Sequence, residues 1–369
     1  MKAGTAIEGE HGMRSLENYH RINGLAASAA ALLLAVHSIA PAVAQNADGA
    51  RECRDEQGLT YICNLVVPED VVNVGSTGLV LVSGHRAPGH LYLVDPATNT
   101  PIELIHGPTF RQQRDMNLFG ECPASLNLAA FDVHGISITE TSPRRFVLYT
   151  TSHGEREAIE VYQLDLAGDA PRLTWTGCVM LQQDGYFNAV VRLADGGFIA
   201  TRMRDAGVSN NAIAPGQITG RLFEWHPGSA LTEIAGTELS LPNGLDASAD
   251  GRYVYVAATG TQELVRFDRS TSPATKRAVS LPMRPDNVHW DGNGKLIVAG
   301  TNPAPAGCSG AACAAGWTVV EADPETLAFT RLGGADGRAA MQRVSAAIRL
   351  GDDIWVGSNE DRIARFTLD

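Results

Sequence analysis

The sequence predicts an all-β chain folded as a six-bladed β-propeller. Two observations carry this: a strand–turn–strand unit recurs six times, and no long amphipathic helix separates the units. A third supports it, since 38 glycines and 18 prolines among 369 residues suit a chain that turns often. Helices placed regularly between single strands would point to a parallel α/β sheet. Radially repeated hairpins instead protect their own sheet edges.

The units follow in order. VPEDVVNVGSTGLVLVSGHRAPGHLYLVDP begins at Val67, and FDVHGISITETSPRRFVLYTTSHGEREAIEVYQLDL begins at Phe131. YFNAVVRLADGGFIATRM begins at Tyr186, with GQITGRLFEWHPG downstream as its third strand. LPNGLDASADGRYVYVAATGTQELVRFD spans 241–268, RPDNVHWDGNGKLIVAGT begins at Arg284, and VSAAIRLGDDIWVGSNEDRIARFTLD runs from Val344 to the end. Each reads as strand, tight polar turn, alternating β-rich strand, connection, strand. The spacing of about 40 to 70 residues lies near that of propeller blades. Trp290 and Trp317 are expected to pack between blades. The segment RQQRDMN, 111–117, reads as polar surface, and 201–216 reads as a long irregular connection able to cover a site.

Residues 1–44 read as a secretory signal peptide. Arg21 precedes an apolar stretch from Leu25 to Ile39, and Ala42-Val43-Ala44 gives a small-x-small cleavage pattern. Met13 is an alternative start. Residues 45–66 are then an N-terminal segment that closes the ring, and 67–369 the propeller. A periplasmic or secreted location follows, with no stable membrane span after cleavage. The six cysteines are even in number and all lie beyond the leader, so disulfides are expected. Local spacing favours Cys53 with Cys63 and Cys308 with Cys313, which leaves Cys122 with Cys178. The absence of a Cys-x-x-Cys pair weighs against zinc. A net charge of −12 excludes a nucleic-acid partner, because phosphates would repel it. A monomer is expected.

One position recurs at a constant offset. Glu69, His134, Asn188, Asn243, Asp286 and Ser345 each stand seven residues before a turn residue of their hairpin. If the first strand of each hairpin is innermost, these six side chains meet at one end of the central channel. Glu69, Asn188, Asn243 and Asp286, with Asn287 next in sequence, offer carboxylate and amide oxygens. That donor set suits Ca2+, which takes oxygen ligands, better than zinc or copper. The hairpin 134–153 is centred between Pro143 and Arg144, which sets His134 opposite His153 as a candidate base and relay. The loop GHRAPGH adds His85 and His90 near that end.

The ordered segments PEDVV, HGISI, TSHGE, FNAVV, PNGLDASADGRYVYVA and PDNVHWD resemble those of paraoxonases and related arylesterases. These belong to the six-bladed calcium-dependent hydrolases that also include gluconolactonases. The resemblance runs from Val67 to the C-terminus. It implies that Glu69, Asn188, Asn243, Asp286 and Asn287 hold a catalytic calcium, with His134 as general base and His153 as its partner. It also implies a second, structural calcium near Asp70 and the Ile136 backbone. Ala189 stands where that second site has an aspartate, which argues against the ion. The family's long-range disulfide is missing, since no cysteine follows Cys313. The implied activity is hydrolysis of a small-molecule lactone or aryl ester. Two alternatives stand beside it: a gluconolactonase-like sugar lactonase without a histidine dyad, and a non-enzymatic periplasmic binding propeller.

Overall fold

The structure is a computed structural model that describes residues 53, 55–56, 58–304, 315–337 and 341–368. The leader and the Cys308–Cys313 pair lie outside the described residues. Twenty-five strands build six sheets, and among the described residues helix is limited to the short 3₁₀ turns Gly75–Thr77 and Asn210–Ala212. This is the expected six-bladed propeller. The innermost strands are Pro68–Asn73, Asp132–Ser142, Gly185–Arg192, Pro242–Ala247, Arg284–Trp290 and Val344–Leu350. Each packs on the next, and the last on the first, so the six line the axis. Blades 1 to 6 are numbered in that order.

Each blade has four strands, where the sequence showed three. In blades 3 and 4 the fourth strand leaves little pattern: Thr275–Ser280 is almost wholly exposed, and Thr232–Glu233 has only two residues. Blade 2 has a fifth strand, Arg111–Gln112, parallel to Arg172–Met180. The segment read as plain polar surface is thus a sheet edge. The segment expected to start an irregular connection at residue 201 is instead strand as far as Asp205.

The ring closes through the N-terminal segment. Thr60–Cys63 pairs antiparallel with Arg362–Thr367 and completes blade 6. The Cys53–Cys63 bridge ties this strand to the chain before it, and Cys122–Cys178 ties the blade 1–2 connection to the outer part of blade 2. Both bridges match the expected pairing.

Apolar faces pack between neighbouring blades. Trp317 is fully buried with Ile297 and Ala299 of blade 5 and with Val344, Ala347 and Ile354 of blade 6. Trp290 donates Nε1–H to the Ala247 carbonyl of blade 4 at 2.7 Å and meets Tyr255 edge to face. Burying a side chain of this size contributes about 1.5–3 kcal/mol.

Every innermost strand carries a β-bulge at the same place. Register slips between Pro68 and Val71, Val133 and Ile136, Phe187 and Val190, Pro242 and Leu245, Pro285 and Val288, and Val344 and Ala347. In each case two residues of the inner strand oppose one residue of the second strand. The first residue of each bulge is the one found by the constant offset: Glu69, His134, Asn188, Asn243, Asp286 and Ser345. A bulge frees a residue from the ladder and re-aims its side chain. Here six bulges aim at one end of the axis.

Candidate functional site at the bulge end of the channel

The bulges hold by local bonds. The Asp70 N–H donates to Ser83 Oγ at 3.0 Å, and the Ala189 N–H donates to Thr201 Oγ1 at 3.1 Å. In both, a second-strand hydroxyl satisfies a backbone group that the bulge left without a ladder partner. Three residues just ahead of the inner strands have left-handed backbone: Val67 (φ 38°), Leu241 (φ 48°) and Arg343 (φ 50°). Such geometry costs energy in a non-glycine residue. Each is fixed by an equivalent bond, its carbonyl accepting from His85, Thr259 and Asn359 respectively.

Glycine has a specific use here. Gly244 follows Asn243 inside the bulge, where an added Cβ would lie 2.5 Å from Asn287 Cα and 2.8 Å from the Asp286 carbonyl oxygen. Gly135 follows His134, and a Cβ there would lie 2.8 Å from the Asn188 carbonyl oxygen. The pairs His-Gly and Asn-Gly therefore let adjacent inner strands approach closely, rather than shaping turns.

The predicted ligand residues come together. Asn287 Nδ2–H donates to Glu69 Oε1 at 2.9 Å, and Asn243 Nδ2–H donates to Asp286 Oδ1 at 2.5 Å. Asn188 Nδ2 lies 3.3 Å from His134 Nε2. Glu69, Asn188, Asn243 and Asn287 are buried, while Asp286 is the most open of the five. Each NH2 group is turned onto a neighbour, so the oxygens are left over. Glu69 Oε2, Asn188 Oδ1 and Asn243 Oδ1 are buried with no hydrogen-bond partner. Orphaned buried acceptors are costly and call for an explanation. Burial, then the adjacent Asp70, pushes Glu69 up to about 8. Burial, then Glu69, raises Asp286 well above the usual carboxylate range. Three unpartnered oxygens beside two carboxyls that resist ionisation form a donor set that fits a hard cation. Among the described residues no group of three or more His, Cys, Asp and Glu has metal-holding geometry; three of the five donors here are amides. Ser345, the sixth residue of the ring, donates to the Glu69 carbonyl at 2.5 Å and acts as a brace.

The histidines meet by a route the sequence did not show. The turn is centred as expected, with Ser142 paired to Arg145, but bulges at residue 141 and at 134–135 shift the register twice. Asp132, not His134, therefore pairs with His153. The bulged His134 side chain still reaches across, and its Nδ1 lies 3.1 Å from His153 Nε2. His153 Nδ1 in turn lies 2.7 Å from Glu157 Oε1. Assigning tautomers from these partners, His153 donates to Glu157 and His134 donates to His153. The lone pair of His134 is then on Nε2, which faces the oxygen ring, 3.3 Å from Asn188 Nδ2 and 3.5 Å from Glu69 Oε1. Burial, then His85 and His153, holds the His134 pKa well below the ordinary imidazole value.

Sequence reasoning missed Glu157 and Tyr186, and it set His85 near this end without showing its stack on His134. Tyr186 stacks on His153 at 4.2 Å, and its hydroxyl is 3.3 Å from His134 Nδ1. The Arg204 guanidinium lies 3.9 Å from the Tyr186 ring centroid. The spacing His153-x3-Glu157 was the only signal available for the carboxylate. His85 stacks on His134, whereas His90 pairs with Glu103.

The suggested second ion finds no room. Asp70 Oδ1 accepts from the Val71 N–H at 2.9 Å and from His289 Nε2 at 2.7 Å, and Oδ2 accepts from the Ile136 N–H at 2.9 Å. Ile136 presents a donor, not a carbonyl, and Ala189 supplies no oxygen. The residues do not fit a cation at that place.

Against known proteins, the sequence profile of the SMP-30/Gluconolactonase/LRE-like region matches residues 129–310. No curated protein matches the chain in sequence. Among solved structures, a luciferin-regenerating enzyme superposes with TM-score 0.53 at 15% identity, covering 83% of this chain and 92% of its own. A gluconolactonase from Xanthomonas campestris gives 0.52 at 16%, covering 84% and 89%. Regucalcin, a calcium-binding protein from Agrobacterium tumefaciens, gives 0.50 at 12%, covering 83% and 91%. At such identities the likeness concerns the fold. Six bulged blades and a ring of oxygen donors thus stand on a chain whose residues 129–310 match the SMP-30/Gluconolactonase/LRE-like profile.

Proposed function

We propose that this chain is an exported, calcium-dependent hydrolase of lactones and aryl esters, of the paraoxonase-like kind. The observation that carries the reading is the meeting of orphaned buried oxygens on Glu69, Asn188 and Asn243 with the His134–His153–Glu157 relay. Two disulfides support an oxidising compartment. Among the described residues no helix is long and apolar enough to cross a membrane.

Glu69, Asn188, Asn243, Asp286 and Asn287 hold the ion in this reading. When bound, calcium supplies Lewis-acid polarisation of the substrate carbonyl and charge to offset the developing oxyanion. His134 Nε2 takes a proton from the attacking water. Its Nδ1–H passes the charge on to His153, whose Nδ1–H rests on Glu157. General-base help of this kind is worth about 10²–10⁴-fold. Burial raises Tyr186 above the ordinary phenol value, so its hydroxyl stays neutral beside the dyad. A lactone suits the site because its leaving alkoxide stays tethered.

Chelation tests the reading. Removing calcium is expected to abolish turnover of a lactone panel and of phenyl acetate, and restoring it to recover both. Undiminished turnover without calcium defeats the proposal. A second reading, a gluconolactonase-like enzyme working without the dyad, is supported by the profile match and the Xanthomonas campestris neighbour. His134→Gln separates the two: a loss of about 100-fold or more fits the relay, and a loss of a few-fold fits catalysis by ion and carboxylate alone.

A further inference from the structure

We propose that His85 is the acid of this reaction, giving a proton to the alkoxide oxygen as the ester bond of a lactone breaks. The proposal rests on the hydrolase reading above. His85 follows the second strand of blade 1, Val80–Gly84, and its ring stacks on His134 with centroids 4.3 Å apart and planes 18° apart. It meets His153 edge-on at 6.2 Å. Its Nδ1 lies 2.9 Å from Asp132 Oδ1 and 3.2 Å from the Val133 carbonyl oxygen. Both partners are acceptors, so Nδ1 carries a proton. The same Asp132 oxygen accepts the Arg86 N–H at 2.6 Å, which fixes the carboxylate. Nε2 has no hydrogen-bond partner among the described residues, and the side chain is 17% exposed. One nitrogen is thus anchored and the other is left for a ligand, against the ring of the proposed base.

The two stacked imidazoles differ in their surroundings. Burial opposes charge on His85, but the hydrogen bond and charge of Asp132, with Glu69 behind, hold its pKa above the ordinary value. Asp132 is held below its own ordinary value by His85, despite burial. His134 has Glu69 Oε1 3.5 Å from its Nε2 and rests its Nδ1 on His153 rather than on a carboxylate. His134 and His153, the other titratable groups facing His85, are imidazoles. An imidazole anchored to a carboxylate through Nδ1 with its Nε2 left open, stacked on an imidazole whose Nε2 faces the oxygen ring, sets an acid beside a base.

The step balances. Water oxygen bonds to the acyl carbon as its proton goes to His134 Nε2. The ring C–O bond breaks, its electron pair goes to the alkoxide oxygen, and that oxygen takes the Nε2 proton of His85. His134 then releases a proton to solvent, and His85 takes one up. The net change is addition of water across the ester bond.

Leaving-group dependence tests this. An aliphatic alkoxide departs poorly without a proton, whereas 4-nitrophenoxide departs well without one. His85→Gln is expected to lower the ratio of δ-valerolactone to 4-nitrophenyl acetate turnover by about 100-fold, in kcat rather than KM. Asp132→Asn keeps the shape and removes the charge, and is expected to lower the same ratio. Thermal melts and calcium binding of both variants report on folding. Equal losses on the two substrates, or no loss on either, overturn the role of His85. Wild-type protein inactive on both substrates, with calcium bound, overturns the hydrolase reading itself.

Discussion

At the scale of single residues, the site is a set of groups that their protein neighbours serve poorly. Glu69 shows this best. Its unfolded pKa is near 4.5 and its folded value about 8, with burial the largest cause. The folded state therefore prefers the protonated form. In the cation-free protein this group supports stability most below pH 4.5, and that support is lost as pH rises towards 8. A cation needs the carboxylate, so binding releases the proton. Since Glu69 must lose its proton to bind the ion, apparent calcium affinity should rise at least about tenfold per pH unit below about 8. Calorimetry at pH 6, 7 and 8 checks this, and a flat profile removes Glu69 from the ligand set.

At the scale of elements, the bulge is the working unit. The sequence revealed the bulges only as an offset of seven from each turn, and that offset located their first residues. It did not reveal that the residues leave the ladder, because a bulge is a relation between two strands. The misassigned partner of His153 has the same cause: two bulges move the register by two, and single-strand counting registers neither. The glycines mark where the bulges are tightest. Gly244→Ala would press a methyl into Asn287 and the Asp286 backbone. It should weaken calcium binding by at least about tenfold and lower stability by about 1–3 kcal/mol, the usual cost of overpacking. Binding and melting that match wild type would show that the close approach of blades 4 and 5 does not shape the ring.

At the scale of the whole molecule, the fold is a ring closed by strand pairing between its two ends. The Cys53–Cys63 bridge closes a short loop around the pairing strand. In the chain-entropy account such a loop contributes about 3 kcal/mol. Cys53→Ser with Cys63→Ser should lower the denaturant midpoint accordingly. Hydrogen exchange should rise first in Thr60–Cys63 and Arg362–Thr367. Unchanged protection of both strands would show that the bridge has no part in closure.

The chain by itself determined the blade count, the inner hairpins and the residues that gather on the axis. All of these follow from local period, turn chemistry and spacing, which one strand carries on its own. Tertiary structure alone decided the fourth strands of blades 3 and 4, since these short or exposed edges bury too little to leave a pattern. It also decided that His289 rather than an ion answers Asp70, and that Glu157 and His85 flank the dyad. Those contacts join residues from different strands and loops, and their distances are set by how the blades pack around the ring.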